Sequence, residues 1–74
     1  MTKRNQHVVP VGNGWAVKHP GQERASVITS SQKEAIEYAR KLARNEHADL
    51  IIHGRDGKIR DRSSYAKDSH SPKG

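Results

Sequence analysis

The 74-residue chain contains no cysteine and no phenylalanine, and Trp15, Tyr38 and Tyr65 are its only large aromatic residues. Without cysteine, neither a disulfide nor a thiolate metal site can staple the fold. A chain this short buries only roughly 60% of its unfolded surface, so its core is small. Extra stability has to come from strong local signals or from self-association. No apolar run approaches the ~20 residues of a membrane helix. The segment Met1 to His7 is polar, with no apolar stretch behind it resembling a signal peptide. A cytoplasmic location with no membrane partner is therefore the expectation. Acidic residues are also scarce: 8 Asp and Glu stand against 14 Lys and Arg, a net charge of +6. Residues 1–37 carry 5 basic and 3 acidic side chains, and residues 38–74 carry 9 and 5. A positive surface favours polyanions, although basicity is also a common solubility device.

What is present is a series of well-punctuated elements. Gln6 to Gly12 reads as a strand, and Pro10, which lacks an amide donor, predicts that it lies at a sheet edge. Asn13-Gly14 tolerates the positive φ of a type I′ turn. A two-residue loop there pairs Gly12 with Trp15, Pro10 with Val17 and Val8 with His19. Val8, Pro10, Trp15 and Val17 then share one face, the core side by apolar weight, and Val9, Val11, Ala16 and Lys18 share the other. After a turn at His19-Pro20-Gly21-Gln22, Ala25 to Thr29 is a short third strand with Val27 or Ile28 pointing inward. Ser31-Gln32-Lys33-Glu34 is a capping box that opens a helix to about Glu46. Ala35, Ala39, Leu42 and Ala43 form its apolar stripe, with Ile36 flanking, and the small side chains let it lie close against a sheet.

Asp49 to His53 and Lys58 to Ser63 read as two further strands around Asp56-Gly57, a strong hairpin signal. A two-residue loop pairs Arg55 with Lys58, His53 with Arg60 and Ile51 with Arg62. Leu50, Ile52 and Ile59 then face the helix, while Arg55, Lys58, Arg60 and Arg62 line up on the opposite side with His53 and Ile51. A one-residue slip would exchange those faces. The expected architecture is one α+β domain over residues 6–65, β-β-β-α-β-β. It has an antiparallel sheet of four to five strands with one helix packed on one face, flanked by a flexible N-terminus (1–5) and a flexible polar tail (66–74) onto which Tyr65 marks the entry.

The segments Gly14-Trp15-Ala16-Val17-Lys18, Thr29 to Ala35 and Ile52 to Ile59 together resemble a small, uncharacterised bacterial family. It is catalogued as domain of unknown function number twenty-one eighty-eight. The likeness covers roughly His7 to Tyr65. It implies a sheet-and-helix domain similar in fold to the YegP-like proteins, and it implies no activity. The tail Ser64 to Asp68 is similar too, although Ala66 and Ser69 stand where family members tend to carry glycine and proline.

Catalytic chemistry finds little support in the residues. His7, His19, His47, His53 and His70 include no helical i, i+4 pair and no His-x-His, so neither a metal nor a cofactor is expected. Ser30 and Ser31 are explained by helix capping, and the carboxylates are scattered among basic neighbours. Gly12-Asn13-Gly14 and Gly54-Arg55-Asp56-Gly57 are turns with no helix N-terminus behind them, so they are not phosphate-cradling loops. The expectation is a non-enzymatic binding module with no small-molecule substrate. Its leading ligand class is nucleic acid, held by Arg55, Lys58, Arg60, Arg62, His53 and Lys18 on the open sheet face. The alternative is a protein partner or homodimer using Val9, Val11, Ala16 and Ile51 or an edge strand. Which face composition prevails, basic or apolar, separates the two.

Overall fold

Five strands and one helix make up the computed structural model, which describes residues 5–21 and 24–65. The tail expected to be flexible from Ala66 onward, and residues 1–4, lie outside the described residues. The elements are β1 (Gln6–Val11), β2 (Gly14–Lys18), β3 (Val27–Thr29), α1 (Gln32–Glu46), β4 (Asp49–His53) and β5 (Ile59–Ser64). The sheet order is β3-β2-β1-β4-β5. Three neighbouring pairs are antiparallel, and β1 and β4 are parallel, Gln6 to Val8 lying against Leu50 to Ile52. The fold is thus α+β with one helix on one sheet face. The parallel pair arises because α1 carries the chain from the β3 edge back across the sheet.

This order corrects the edge position expected of β1, which is the central strand. Pro10 is tolerated because pairing with β4 ends at Val8, and Pro10 is matched by Trp15 of β2 alone. Its missing amide therefore leaves no β4 bond unmade. The first hairpin loop also moves. It is Gly12-Asn13, closed by Val11 and Gly14, with φ +55° at Gly12, the glycine-first pattern of a type II′ turn. Gly14 is held in the strand for another reason: a Cβ there would collide with the Thr29 carbonyl oxygen of β3. Sliding the loop by one residue changes every cross-strand partner by two, so the faces survive. Val8, Trp15 and Val17 are buried as expected.

Helix α1 begins at Ser31, whose Oγ accepts the Glu34 amide at 3.2 Å. The Glu34 carboxylate takes the Ser30 hydroxyl at 3.4 Å. Ala35, Ala39 and Ala43 are fully buried, and they seat α1 chiefly on β1 and β2. With Val8, Trp15, Val17, Leu50 and Ile52 they form the core, onto which Val27, Ile36, Leu42 and Tyr65 pack. Tyr65 docks back, its amide donating to the Ala48 carbonyl at 3.1 Å. The helix ends in a Schellman pattern, with the Ala48 amide reaching the Ala43 carbonyl and the His47 amide the Arg44 carbonyl. The left-handed residue is His47, at φ 54° and ψ 46°, where glycine is usual.

The last hairpin departs most from expectation. Its loop has three residues, Arg55-Asp56-Gly57, with Gly57 at φ +86° and the Gly54 amide donating to the Lys58 carbonyl at 2.7 Å. The Asp56 carboxylate accepts the Lys58 amide at 3.1 Å, which fixes the turn. The extra loop residue shifts the pairing so that His53 faces Ile59. A bulge at Arg60 then restores Ile51 opposite Arg62, the register expected there. Ile59 is consequently turned away from the core and is 61% exposed, which overturns its assignment to the helix side.

Two substitutions test this packing. His47→Gly removes the left-handed strain and should raise stability by about 1 kcal/mol. Leu50→Ala, at a fully buried β4 position, should cost roughly 2–5 kcal/mol. Urea denaturation followed by Trp15 fluorescence reads both.

Candidate functional site

The sheet face away from α1 is built in rows set by the strand register. One row runs Lys18, His7, Ile51, Arg62 across β2, β1, β4 and β5. A second runs Ile28, Ala16, Val9 across β3, β2 and β1. His53 and Ile59 add a third pair toward the last loop. Side chains alternate between faces along each strand, so these residues share one surface.

Of the six residues proposed for polyanion binding, this face collects Lys18, His53 and Arg62. The other three are dispersed by the loop and bulge. Arg55 crosses to the other side of the sheet, its guanidinium 4.6 Å from the centre of the Trp15 ring and within 3.5 Å of the Gly12 carbonyl. Arg60 borders a groove with Gln32 and Ile36 of α1 and Ile52, its stem lying over Gly54. Lys58 sits exposed at the loop, opposite Gly54. The expected ladder of four basic residues is therefore not formed. Arg62 is held by Asp49, with its Nη2 and Nε 2.7 and 3.3 Å from one carboxylate oxygen. Of the four proposed partner residues, Val9 is half-buried and Val11 is 41% exposed. Ala16 and Ile51 are buried between their row neighbours. Ile28 and Ile59, exposed on the same face, were not foreseen as partner residues.

The sequence also gave no hint that His7 and His53 meet. Their rings lie 5.3 Å apart, with His7 Nδ1 3.1 Å from His53 Nε2. His53 Nδ1 lies 3.0 Å from the Gly57 carbonyl oxygen. A carbonyl can only accept, so His53 Nδ1 carries the proton. The proton between His7 Nδ1 and His53 Nε2 belongs to one ring or the other according to tautomer. The strand position of His53 is fixed by Gln32 Nε2 of α1, which donates to its carbonyl at 3.1 Å. Burial lowers the His7 pKa below its ordinary 6.5, and the neighbouring His53 and Arg62 push in the same direction. Beside this pair lies a shallow, open cleft of about 360 Å³, lined also by the His19-Pro20-Gly21 turn, Lys18 and Val9. A second groove, about 260 Å³, is lined by Val9, Val11, Ala16 and Ile28, with Lys18 between the two. Among the described residues no group of three metal-ligating side chains converges, and no helix is long and apolar enough to cross a membrane.

A model of bacterial proteins described as uncharacterized and conserved (DUF2188) matches residues 6–65, from the first residue of β1 to the docked Tyr65. The chain belongs to that family. It is 37% identical over 59 residues to the uncharacterized protein YdaT of Bacillus subtilis (strain 168). That match takes in 80% of this chain but 39% of the relative, so the chain spans well under half the length of the protein it resembles. No solved structure matches it.

The His7 environment fixes the sign of one pH effect. The unfolded chain titrates this group at about 6.5 and the folded chain at a lower pH. Between those values the unfolded state holds more protons, so stability rises with pH and falls on acidification through the window just below 6.5. Thermal unfolding between pH 8 and 5 should show this loss, and His7→Asn should reduce it.

Proposed function

We propose that this chain is a non-enzymatic binding module that docks an acidic, apolar segment of another protein on its open sheet face. The bulge at Arg60 carries the reading. It takes Arg60 off this face and puts Ile59 on it, so Val9, Val11, Ile28 and Ile59 give the face an apolar part beside its basic one. Val9, Val11 and Ile28 border a groove, Ile59 lies beyond it, and Lys18 stands at the groove's rim. Exposed apolar side chains grouped in this way favour a macromolecular partner over bulk water. The net charge of +6 favours an acidic partner and opposes two copies meeting face to face. Nucleic acid remains the second reading, supported by Arg55, Lys58 and Arg60 exposed at the last hairpin. Against it, Arg55 is engaged by Trp15 and the basic residues point to different sides. Affinity for duplex held by so few aligned cations falls steeply with salt.

Backbone amide shift mapping separates the two. A peptide of alternating glutamate and leucine should move Val9, Val11, Ala16 and Ile28, and Ile28→Asp should weaken binding about tenfold or more. Shifts confined to Arg55 through Arg62 on addition of a generic DNA duplex, with the peptide leaving the open face unmoved, would overturn the protein-docking reading in favour of nucleic acid.

A further inference from the structure

His7 and His53 are brought together by strand register alone. His7 lies opposite Ile51 in the parallel pair of β1 and β4, so His53, two residues on, is its diagonal neighbour on the same face. We propose that the two rings form an exchangeable site for a divalent transition-metal ion such as zinc, held by His7 Nδ1 and His53 Nε2.

Distance is the first support. The two facing nitrogens are 3.1 Å apart and the ring centres 5.3 Å apart. Metal–nitrogen bonds of ~2.0–2.1 Å on a tetrahedral ion set two such nitrogens about 3.3 Å apart and their ring centres about 5.2 Å apart. The rings therefore already stand at chelating separation. Small rotations of the rings, rather than of the strands, aim both lone pairs at one point. Coordination uses both lone pairs, so each neutral ring then keeps its proton on the far nitrogen, Nε2 of His7 and Nδ1 of His53.

The second support lies behind His53. Its Nδ1 is 3.0 Å from the Gly57 carbonyl oxygen, which can only accept, so Nε2 is the nitrogen turned toward His7. A backbone carbonyl on the far nitrogen is the arrangement that orients metal-binding imidazoles and fixes their tautomer. Gln32 of α1 holds the same residue through its main-chain carbonyl, at 3.1 Å.

The surroundings set the character of the site. Both histidines line a shallow, open cleft, and among the described residues no third metal-ligating side chain converges on them. Water or an incoming donor fills the remaining positions, so the ion exchanges and does not staple the fold. Imidazole nitrogens select copper, nickel and zinc over magnesium and calcium, which prefer oxygen. Lys18, opposite His7, opposes a second cation, whereas Arg62 carries the Asp49 carboxylate with it. The inference does not rest on the apolar groove docking a protein, because the ion alone tests it.

Zinc chloride is the probe, titrated into the full chain at pH 8 while the histidine ring nitrogens are followed by long-range proton–nitrogen NMR. His7 Nδ1 and His53 Nε2 should respond together and saturate at one ion per chain, and magnesium chloride should move neither. His7→Asn and His53→Asn should each weaken binding about tenfold or more. His47→Asn, at the C-terminus of α1, should leave it unchanged, and Lys18→Gln should strengthen it severalfold. Amide dispersion and Trp15 fluorescence verify folding, and because the two histidines are replaced separately, one folded variant suffices. The proposal is overturned if zinc moves His47 as strongly as the pair, or if the responding nitrogens are His7 Nε2 and His53 Nδ1. It is equally overturned if a folded His7→Asn or His53→Asn variant binds as wild type, or if Lys18→Gln weakens binding.

Discussion

The parallel contact between β1 and β4 is the constraint on which the rest of the structure depends. Three residues of each strand, Gln6 to Val8 against Leu50 to Ile52, join the first half of the chain to the second. On one side of the sheet this places Val8 beside Ile52 under the alanine stripe of α1. On the other it sets His7 beside Ile51 and within reach of His53, 46 residues away in sequence. Core and cleft are thus two faces of the same pairing. Long-range parallel pairing brings a loop-closure cost that local hairpins avoid. Here α1 meets much of it, because a capped helix with an alanine face returns the chain in a predetermined direction.

Elements defined by neighbours in sequence were legible, and those defined by distant partners were not. Ser31, Glu34 and the spacing of Ala35, Ala39 and Ala43 specified α1 without outside help. The core face of the first hairpin was legible even though its loop was placed one residue late, because period-2 alternation is preserved when partners change by two. The edge assignment of β1 failed because proline excludes a bond only where a partner strand is present. At Pro10, β4 pairing has already ended. No local signal announces that overhang. The last hairpin failed for a subtler reason. Arg55-Asp56-Gly57 suits a three-residue loop with glycine in the left-handed third position as well as a two-residue loop at Asp56-Gly57. One residue of difference was enough to exchange Ile59 and Arg60 between faces.

The candidate site was therefore legible in its surface but not in its membership. Lys18, His53, Arg62, Val9 and Val11 were assigned to the open face, and they are there. The meeting of His7 with His53 and the exposure of Ile28 beside Val9 depend on strand order, which five short strands leave open. The resulting surface is divided in its chemistry. A cationic, histidine-bearing cleft and an apolar groove adjoin along Val9 and Lys18. An acidic segment with apolar side chains matches both halves at once.

The bulge in β5 has a consequence for the protein's solubility as a population of molecules. An open sheet has two unpaired borders, and regular borders invite neighbouring copies to zip into a continuous ribbon. Here one border, β3, is three residues long, too short to template a stable addition. The other, β5, carries Arg60, Asp61 and Arg62 in succession, and its hydrogen-bonding rhythm is broken at Arg60. A second chain arriving in register would have to bury alternating charges and match an interrupted ladder. The residue that rearranges the open face thus also protects the sheet's longer border against fibrillar growth.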